Sequence, residues 1–156
     1  MSALTDNVII ETKKSPVSTK LKVVDGLIRI FKGALLEYEL SNIGYVQPAT
    51  ADIARENQPE FAGISLDELD KSAALNTTDG TFSVAVMTRG VGDWIKLPVV
   101  STITIANEGD PVYMDGDASV DIASGILNTT GGLVGIIRQF IGANSAWIQL
   151  TQHPIL

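Results

Sequence analysis

The stretch that decides the fold is residues 107–125, NEGDPVYMDGDASVDIASG, in which short apolar runs alternate with acidic turns. A Gly-Asp-Pro turn leads into the run VYM, and the Asp-Gly pair that follows is a hairpin-turn signal, because glycine takes positive φ at little cost. Val120 and Ile122 then flank Asp121, which is the alternation of a strand with one solvent-facing side. The stretch predicts strand, turn and strand, with its acids at turns and on the solvent side.

Three of these acids also define a candidate metal site, because Asp115, Asp117 and Asp121 are spaced as D-G-D-x-x-x-D. Calcium loops of the EF-hand type need a glycine at the sixth position and a bidentate glutamate at the twelfth. Counted from Asp115, those positions hold Val120 and Ile126, so the stretch is not an EF-hand. A looser calcium site at the three aspartates stays the metal candidate, and we expect no other cofactor.

The β pattern extends over most of the chain. TFSVAVMT, at residues 81–88, alternates apolar and polar positions, and the β-branched run IKLPVVSTITIA follows it. LVGIIRQFI and SAWIQL continue the pattern, and glycines separate the runs. The spacing predicts a mainly β domain, a compact sandwich or barrel-like fold.

Two short helices are predicted between the strands. Residues 49–57, ATADIAREN, have a cap candidate in Thr50. In SLDELDKSAAL, Ser65 is followed three residues later by Glu68, which is a capping-box pattern and predicts a helix that begins at Ser65.

The composition argues against several function classes. The chain has 156 residues, no cysteine and a formal net charge of −7, so we expect neither nucleic acid nor an anionic membrane as a partner. Without cysteine there is no thiolate nucleophile, and the one histidine, His153, lies beside a proline. No serine lies in a G-x-S-x-G pattern, so we expect no enzyme activity.

We interpret residues 1–25 as a flexible N-terminal arm and residues 26–156 as a single β-rich domain. The arm has no charged start followed by a long apolar run, so we expect no signal peptide. It is locally basic and has one β-prone run, Val8-Ile9-Ile10. It is either a frayed terminus with solvated lysines or an arm that orders on a partner, for example by adding a strand to the partner's sheet.

One aromatic residue follows a glycine-rich loop. Trp94 comes after Gly90 and Gly92 in RGVGDWIKL. It is either a core residue or the anchor of a subunit interface, where tryptophan is enriched.

The two halves of the chain share a faint repeat. FKGALLEY at 31–38 resembles EGDPVYM at 108–114, FAGISL at 61–66 resembles LVGIIR at 133–138, and FSVAV at 82–86 resembles AWIQL at 146–150. The order is the same in both halves, which predicts two related β units, the first with the helices inserted.

The chain contains, in order, a polar arm, KGAL, GYVQPAT, FAGIS, V-x-V with TRG, EGDPVYM, LVGII and AWIQL. In this order of segments, residues 27–150 resemble the capsid decoration, or cement, proteins of tailed bacteriophages. The most similar part is GD-x-VY, an acidic turn, VGI and a W-I-Q-L strand. The resemblance implies a β-tulip-type fold and a non-enzymatic homotrimer, made in the host cytoplasm. It would bind the major capsid protein on the outer surface of the virion's expanded head.

The same resemblance implies that the protein clamps neighbouring capsomers against the pressure of packaged DNA and that its arm reaches the capsid. The capsid-binding candidates are Val8, Ile9, Ile10, Lys13 and Lys14. Two alternatives stay open. One is another structural protein, such as a head-fibre base, a tail component or a surface-layer module, and the other is a calcium-dependent carbohydrate-binding module that uses the turn at Asp115.

Overall fold

The computed structural model describes residues 3–12, 18–24, 28–39, 42–50, 60–70, 80, 82–87, 94–125 and 132–150. Its strands are β1 (Ser18–Val23), β2 (Arg29–Ile30), β3 (Leu35–Glu39), β4 (Asn42–Pro48), β5 (Phe61–Ser65), β6 (Leu69–Asp70), β7 (Ser83–Met87), β8 (Trp94–Pro98), β9 (Pro111–Met114), β10 (Val120–Ile122), β11 (Leu133–Gly142) and β12 (Ser145–Leu150). Two 3₁₀ turns, Ile105–Asn107 and Ala123–Gly125, are the only helical elements in the described part. The predicted mainly β, barrel-like fold is confirmed.

The helix predicted to begin at Ser65 is wrong over residues 65–70. Ser65 is the last residue of β5, and its Oγ donates to Asp67 O at 2.7 Å. Glu68 accepts a hydrogen bond from the side chain of Arg29 at 2.7 Å instead of capping a helix. Tertiary partners therefore override a local capping pattern, whose worth is only about 1 kcal/mol. The other predicted helix lies outside the described residues from position 51 onward.

The strands form two main sheets. The first is a closed barrel with the order β1-β4-β3-β5-β7, and the second is a five-stranded sheet with the order β10-β9-β11-β12-β8. The short strands β2 and β6 pair with each other. We call the barrel, within residues 18–87, unit 1, and the second sheet, within residues 94–150, unit 2.

Part of the predicted arm belongs to the barrel. Strand β1, which lies before the predicted boundary at residue 25, pairs antiparallel with β7 and parallel with β4. Val23 and Val24 are buried. Burial of these side chains and the pairing on both edges make residues 18–24 integral to unit 1, so the arm seen here is residues 3–12.

The predicted repeat is present in the topology. In chain order, β1, β3, β4, β5 and β7 of unit 1 correspond to β8, β9, β10, β11 and β12 of unit 2, and four of the five strand pairings are the same. The fifth pairing, β1 with β4, corresponds in unit 2 to the isolated bridge of Val99 to Val120. Leu36 lies opposite Gly63 in unit 1, and Val112 lies opposite Gly135 in unit 2, with a register irregularity at the same place in both.

The correspondence extends to the turn before β3 and β9. Gly33 has φ +91° and donates its N–H to Ser65 O at 2.8 Å, and Gly109 has φ +96° and donates to Ile137 O at 2.7 Å. Only the third sequence match is displaced, by two residues, because pairing makes Val86 the counterpart of Ile148.

Two apolar clusters form the core. One fills the inside of unit 1 and includes Leu36, Val46 and Val84. The other fills the inside of unit 2 and continues onto the outer face of unit 1, where it includes Leu35 and Ile64. The two units are therefore packed together through one continuous cluster.

Candidate functional site

Unit 2 has an opening that unit 1 does not have. Strand β8 pairs with β12 along one edge. On the other side, the bridge of Val99 to Val120 and the hydrogen bond from Val100 N–H to Val120 O join the residues just after β8 to β10. Between β8 and the turn at residues 115–119 the sheet is therefore separated. We call this opening the seam of unit 2.

The arm, residues 3–12, lies along this seam. Thr12 forms an antiparallel bridge with Ile95, and Glu11 O accepts the N–H of Lys96 at 3.0 Å. The carboxylate of Glu11 also lies 3.6 Å from the Lys96 ammonium. Backbone pairing to β8 therefore fixes the register of the end of the arm, and the exposed ion pair adds little to its stability.

A second set of contacts fixes the middle of the arm on unit 1. Val8 donates its N–H to Lys32 O at 3.0 Å, and Asn7 Oδ1 accepts the N–H of Lys32 at 2.8 Å. Asn7 Nδ2 donates to Glu68 at 2.7 Å. Hydrogen bonds from Asn7 and Arg29 hold the pKa of Glu68 below its ordinary value. The arm therefore bridges the two units.

The three candidate apolar residues of the arm have different surroundings. Val8 packs onto Gly33 so closely that a Cβ at Gly33 would lie 2.0 Å from Val8 Cγ2. Ile10 packs against the shared core cluster, and Ile9 is 90 % exposed. A cavity of about 380 Å³ lies between the arm and the seam, and its lining includes Ile64. Alternation along the extended arm thus directs Val8 and Ile10 to the body and leaves Ile9 outside.

Lys13 and Lys14, the other two arm candidates, lie outside the described residues. Leu4, which the sequence analysis did not single out, donates its N–H to Asp117 Oδ1 at 2.8 Å. Gly33 was included in the sequence analysis only through the match of FKGALLEY to EGDPVYM. The run Val8-Ile9-Ile10 was predicted to make contacts, but the residues of the body on which it packs were not predicted.

The acids of the opening stretch were expected at turns and on the solvent side, and solvent exposure is wrong for three of them, whereas Glu108 is exposed. Asp115, Asp117 and Asp121 are 6 %, 7 % and 2 % exposed. Ser101 donates its N–H to Asp121 Oδ1 at 2.9 Å and its hydroxyl to Oδ2 at 3.0 Å. Asp117 lies at the junction of the units, where its carbonyl accepts the N–H of Leu35 at 2.9 Å. These acids fasten loops rather than coat an edge.

The burial has an electrostatic cost. Desolvation raises the pKa of Asp115, and it raises the pKa of Asp117 despite the N–H that Leu4 donates. Within the described residues, which include all three aspartates, no three acidic or histidine side chains converge as a metal site requires. The calcium candidate at Asp115, Asp117 and Asp121 therefore gains no support from the geometry.

Trp94 is the first residue of β8, is half-buried and lies opposite Gln149 of β12. It thus belongs to a strand at the edge of the seam. Whether it anchors a subunit interface stays a prediction.

No protein-family model matches the chain, and no curated protein sequence is significantly similar to it. In the part of the chain that the structure describes, no helix has the length and apolar character that a membrane crossing requires.

Proposed function

We propose that this protein is a capsid decoration protein, which binds the outer surface of an expanded phage head and clamps neighbouring capsomers. Its partners would be the major capsid protein and two further copies of itself, and its place would be the outside of the virion. The sequence resemblance over residues 27–150 supports this function class.

The observation that carries the proposal is the state of the arm. Its backbone is held on the body at both ends, by Asp117 near Leu4 and by β8 near Thr12. Between them Ile9 is 90 % exposed, the highest exposure of any large apolar side chain that the structure describes. An apolar side chain held at a fixed position is suited to be an anchor in a partner's pocket, because little further order has to be imposed on binding.

The mechanical role follows from attachment by several weak contacts. One exposed anchor per subunit gives modest affinity, but subunits that bind a shell together convert later contacts into intramolecular ones. The formal net charge of −7 also favours a partner surface that is basic or neutral rather than the packaged DNA.

Co-sedimentation with undecorated heads of the virus that encodes the chain tests the proposal. Unexpanded and expanded heads are compared, each with the full-length protein and with a variant that lacks residues 2–12. A truncation of the whole predicted arm, residues 1–25, would remove β1 and confuse loss of binding with loss of folding. We expect saturable binding of the full-length protein to expanded heads and loss of binding with the truncation.

A point variant separates the anchor from the fold. Ile9→Asp should weaken head binding about 30-fold, which corresponds to about 2 kcal/mol for an interface hot spot. Ile105→Asp is the matched control, because Ile105 is also an exposed apolar residue, at 70 %, but lies on the body. Absence of binding to either head form would refute the decoration function, and equal effects of the two variants would refute the role of the arm.

A further inference from the structure

The outer face of unit 1 packs against unit 2, but the outer face of unit 2 does not pack against unit 1 in the same way. The outer faces of β3, β5 and β7 of unit 1 carry Leu35, Phe61, Ile64 and Met87, and all four are at most 1 % exposed. They share a cluster with residues of β8 in unit 2. The outer face of unit 1 therefore covers the seam of unit 2.

Unit 2 has the corresponding face without the corresponding cover. The counterparts of those four residues are Pro111, Leu133, Ile136 and Gln149, which the matching registers identify. Each is half-buried in the single chain, whereas each unit 1 counterpart is buried. Three of the four are apolar, so this face keeps the character of the face that is packed in unit 1.

The two equivalent glycines show the same difference. Gly33 is buried under Val8, whereas a Cβ at Gly109 would meet no described atom within 4 Å. Their φ values differ by only five degrees, +91° and +96°. The local backbone is thus the same, and only the neighbour differs.

One pair of opposite charges lies at equivalent places on the face of unit 2 and on β1 of unit 1, although Glu108 of that pair also accepts the N–H of Phe140 within its own chain at 3.0 Å. The seam of unit 2 includes Lys96, and its counterpart on β1 is Lys20, which is exposed. Next to Gly33 lies Lys32, and its counterpart next to Gly109 is the exposed Glu108. Gly33 and Lys96 line the same cavity within the chain. The equivalent contact between two chains would therefore bring Glu108 of one copy near Lys20 of another.

We infer that the outer face of unit 2 docks a second copy of this chain, on the edge of unit 1 formed by β1 and the beginning of β4. The contact repeats between chains the head-to-tail packing that joins unit 1 to unit 2 within a chain. A contact between two different surfaces of identical subunits closes into a ring when the rotation between copies divides a full turn. The inference rests on the proposed function for the presence of further copies, and the internal repeat is what identifies the two surfaces.

The contact proposed between copies uses the positions equivalent to those of the contact within the chain, but it cannot use the same hydrogen bonds. Leu35 donates its N–H to Asp117 O within the chain, and its counterpart Pro111 has no N–H to donate. Side chains rather than that backbone bond must therefore join the copies. Ile136 is the apolar residue at the centre of this face, since it pairs with both Pro111 and Gln149.

Sedimentation of the full-length chain over a range of concentrations gives the first test. We expect the wild type to self-associate and Ile136→Glu to raise its dissociation constant more than about tenfold. Ile141→Glu is the matched control, because Ile141 lies on the same strand, is 41 % exposed and lies outside the face. Circular dichroism melts check that both variants fold. A wild type that stays monomeric at high concentration, or two variants with equal effects, would overturn the inference.

Thiol crosslinking identifies the two surfaces. Because the sequence has no cysteine, only the introduced thiols can be crosslinked. Lys20→Cys and Glu108→Cys are made in separate chains and treated with a short bismaleimide, alone and mixed. Crosslinked dimers that form only in the mixture support the head-to-tail contact. Dimers of Glu108→Cys alone would show a face-to-face contact and overturn it, as would no crosslink in any sample.

Discussion

Replacing Gly33 by alanine should detach the arm, and the same replacement at Gly109 should not. Both glycines have φ near +90°, so alanine at either position carries the cost of a left-handed conformation, roughly 1–2 kcal/mol. At Gly33 the new Cβ would also lie 2.0 Å from Val8 Cγ2, whereas at Gly109 it would enter open space. The difference between the two variants therefore isolates the contact between the arm and the body.

The size of that difference follows from what Val8 would lose. Val8 is 41 % exposed, so somewhat more than half of its side chain is covered, which is worth about 1 kcal/mol. The hydrogen bond from Val8 N–H to Lys32 O contributes about 1 kcal/mol more. Gly33→Ala should therefore cost about 2 kcal/mol more than Gly109→Ala in the free energy of unfolding.

Hydrogen exchange reads the detachment directly. The N–H of Lys96 is bonded to Glu11 O of the arm, so it becomes accessible when the arm leaves β8. A loss of 2 kcal/mol in docking corresponds to about 30-fold faster exchange at this amide. Denaturant titration gives the stability difference in parallel. If Gly33→Ala and Gly109→Ala lose the same stability and leave the Lys96 amide equally protected, the arm is not held through Val8 and the account of the site fails.

Three further substitutions test other parts of the structure. Burial raises the pKa of Asp115, so the Asp115 carboxyl binds its proton more tightly in the folded state than in the unfolded state. Its contribution to stability is therefore complete below the unfolded pKa of about 3.9 and is lost as pH rises through the folded pKa. Asp115→Asn should therefore be more stable than wild type at pH 7 and lose that advantage below pH about 4 in denaturant titrations, and a pH-independent difference would contradict this. Asn144→Ala removes an Nδ2 that donates to Val99 O at 3.1 Å, and thermal melts should show a loss of about 1–2 kcal/mol. Gly135→Ala would place a Cβ 2.1 Å from Gln149 O and should destabilise the protein by about 3 kcal/mol or prevent folding, so near wild-type stability would mean that β11 and β12 are farther apart than described.

The strands were predictable from sequence because they follow the simplest periodicity. The run FSVAVM alternates along β7, with Val84 and Val86 inside the barrel. The two apolar-Gly-Ile matches, around Gly63 and Gly135, also located the repeat, since both glycines allow close approach of the next strand. Local sequence patterns were enough to predict a strand wherever the residue types depend only on which face of the strand is buried.

The failures involve residues whose partners are far away in sequence. Glu68 has the spacing of a capping box, but its carboxylate is bound by Arg29, 39 residues away. The sequence around Asp117 is typical of a solvent-facing turn, but the Asp117 carboxylate accepts a hydrogen bond from the N–H of Leu4, 113 residues away. No pattern within a short window contains these partners. The arm residues Val8, Ile9 and Ile10 were candidates, but the rest of the site was missed for the same reason, since it consists of one turn of unit 1 and one edge of unit 2.

A small difference between the two units accounts for the place of the arm. Seven residues separate Tyr38 from Val46 between β3 and β4, whereas five separate their counterparts Met114 and Val120. In the longer segment β3 extends to Glu39 and β4 begins at Asn42, so β4 includes Tyr45 and Val46, which pair with β1 and close the barrel. In the shorter segment residues 115–119 form a turn, and Val120 is joined to Val99 by a bridge and to Val100 by a hydrogen bond, which leaves a seam beside β8. The seam exposes the edge of β8 and its apolar side chains. Segments from outside unit 2 therefore cover the seam: the arm pairs with the edge of β8, and unit 1 packs on the apolar side chains. The same reasoning predicts that the junction of β1 and β4, where unit 1 is closed, accepts no arm strand.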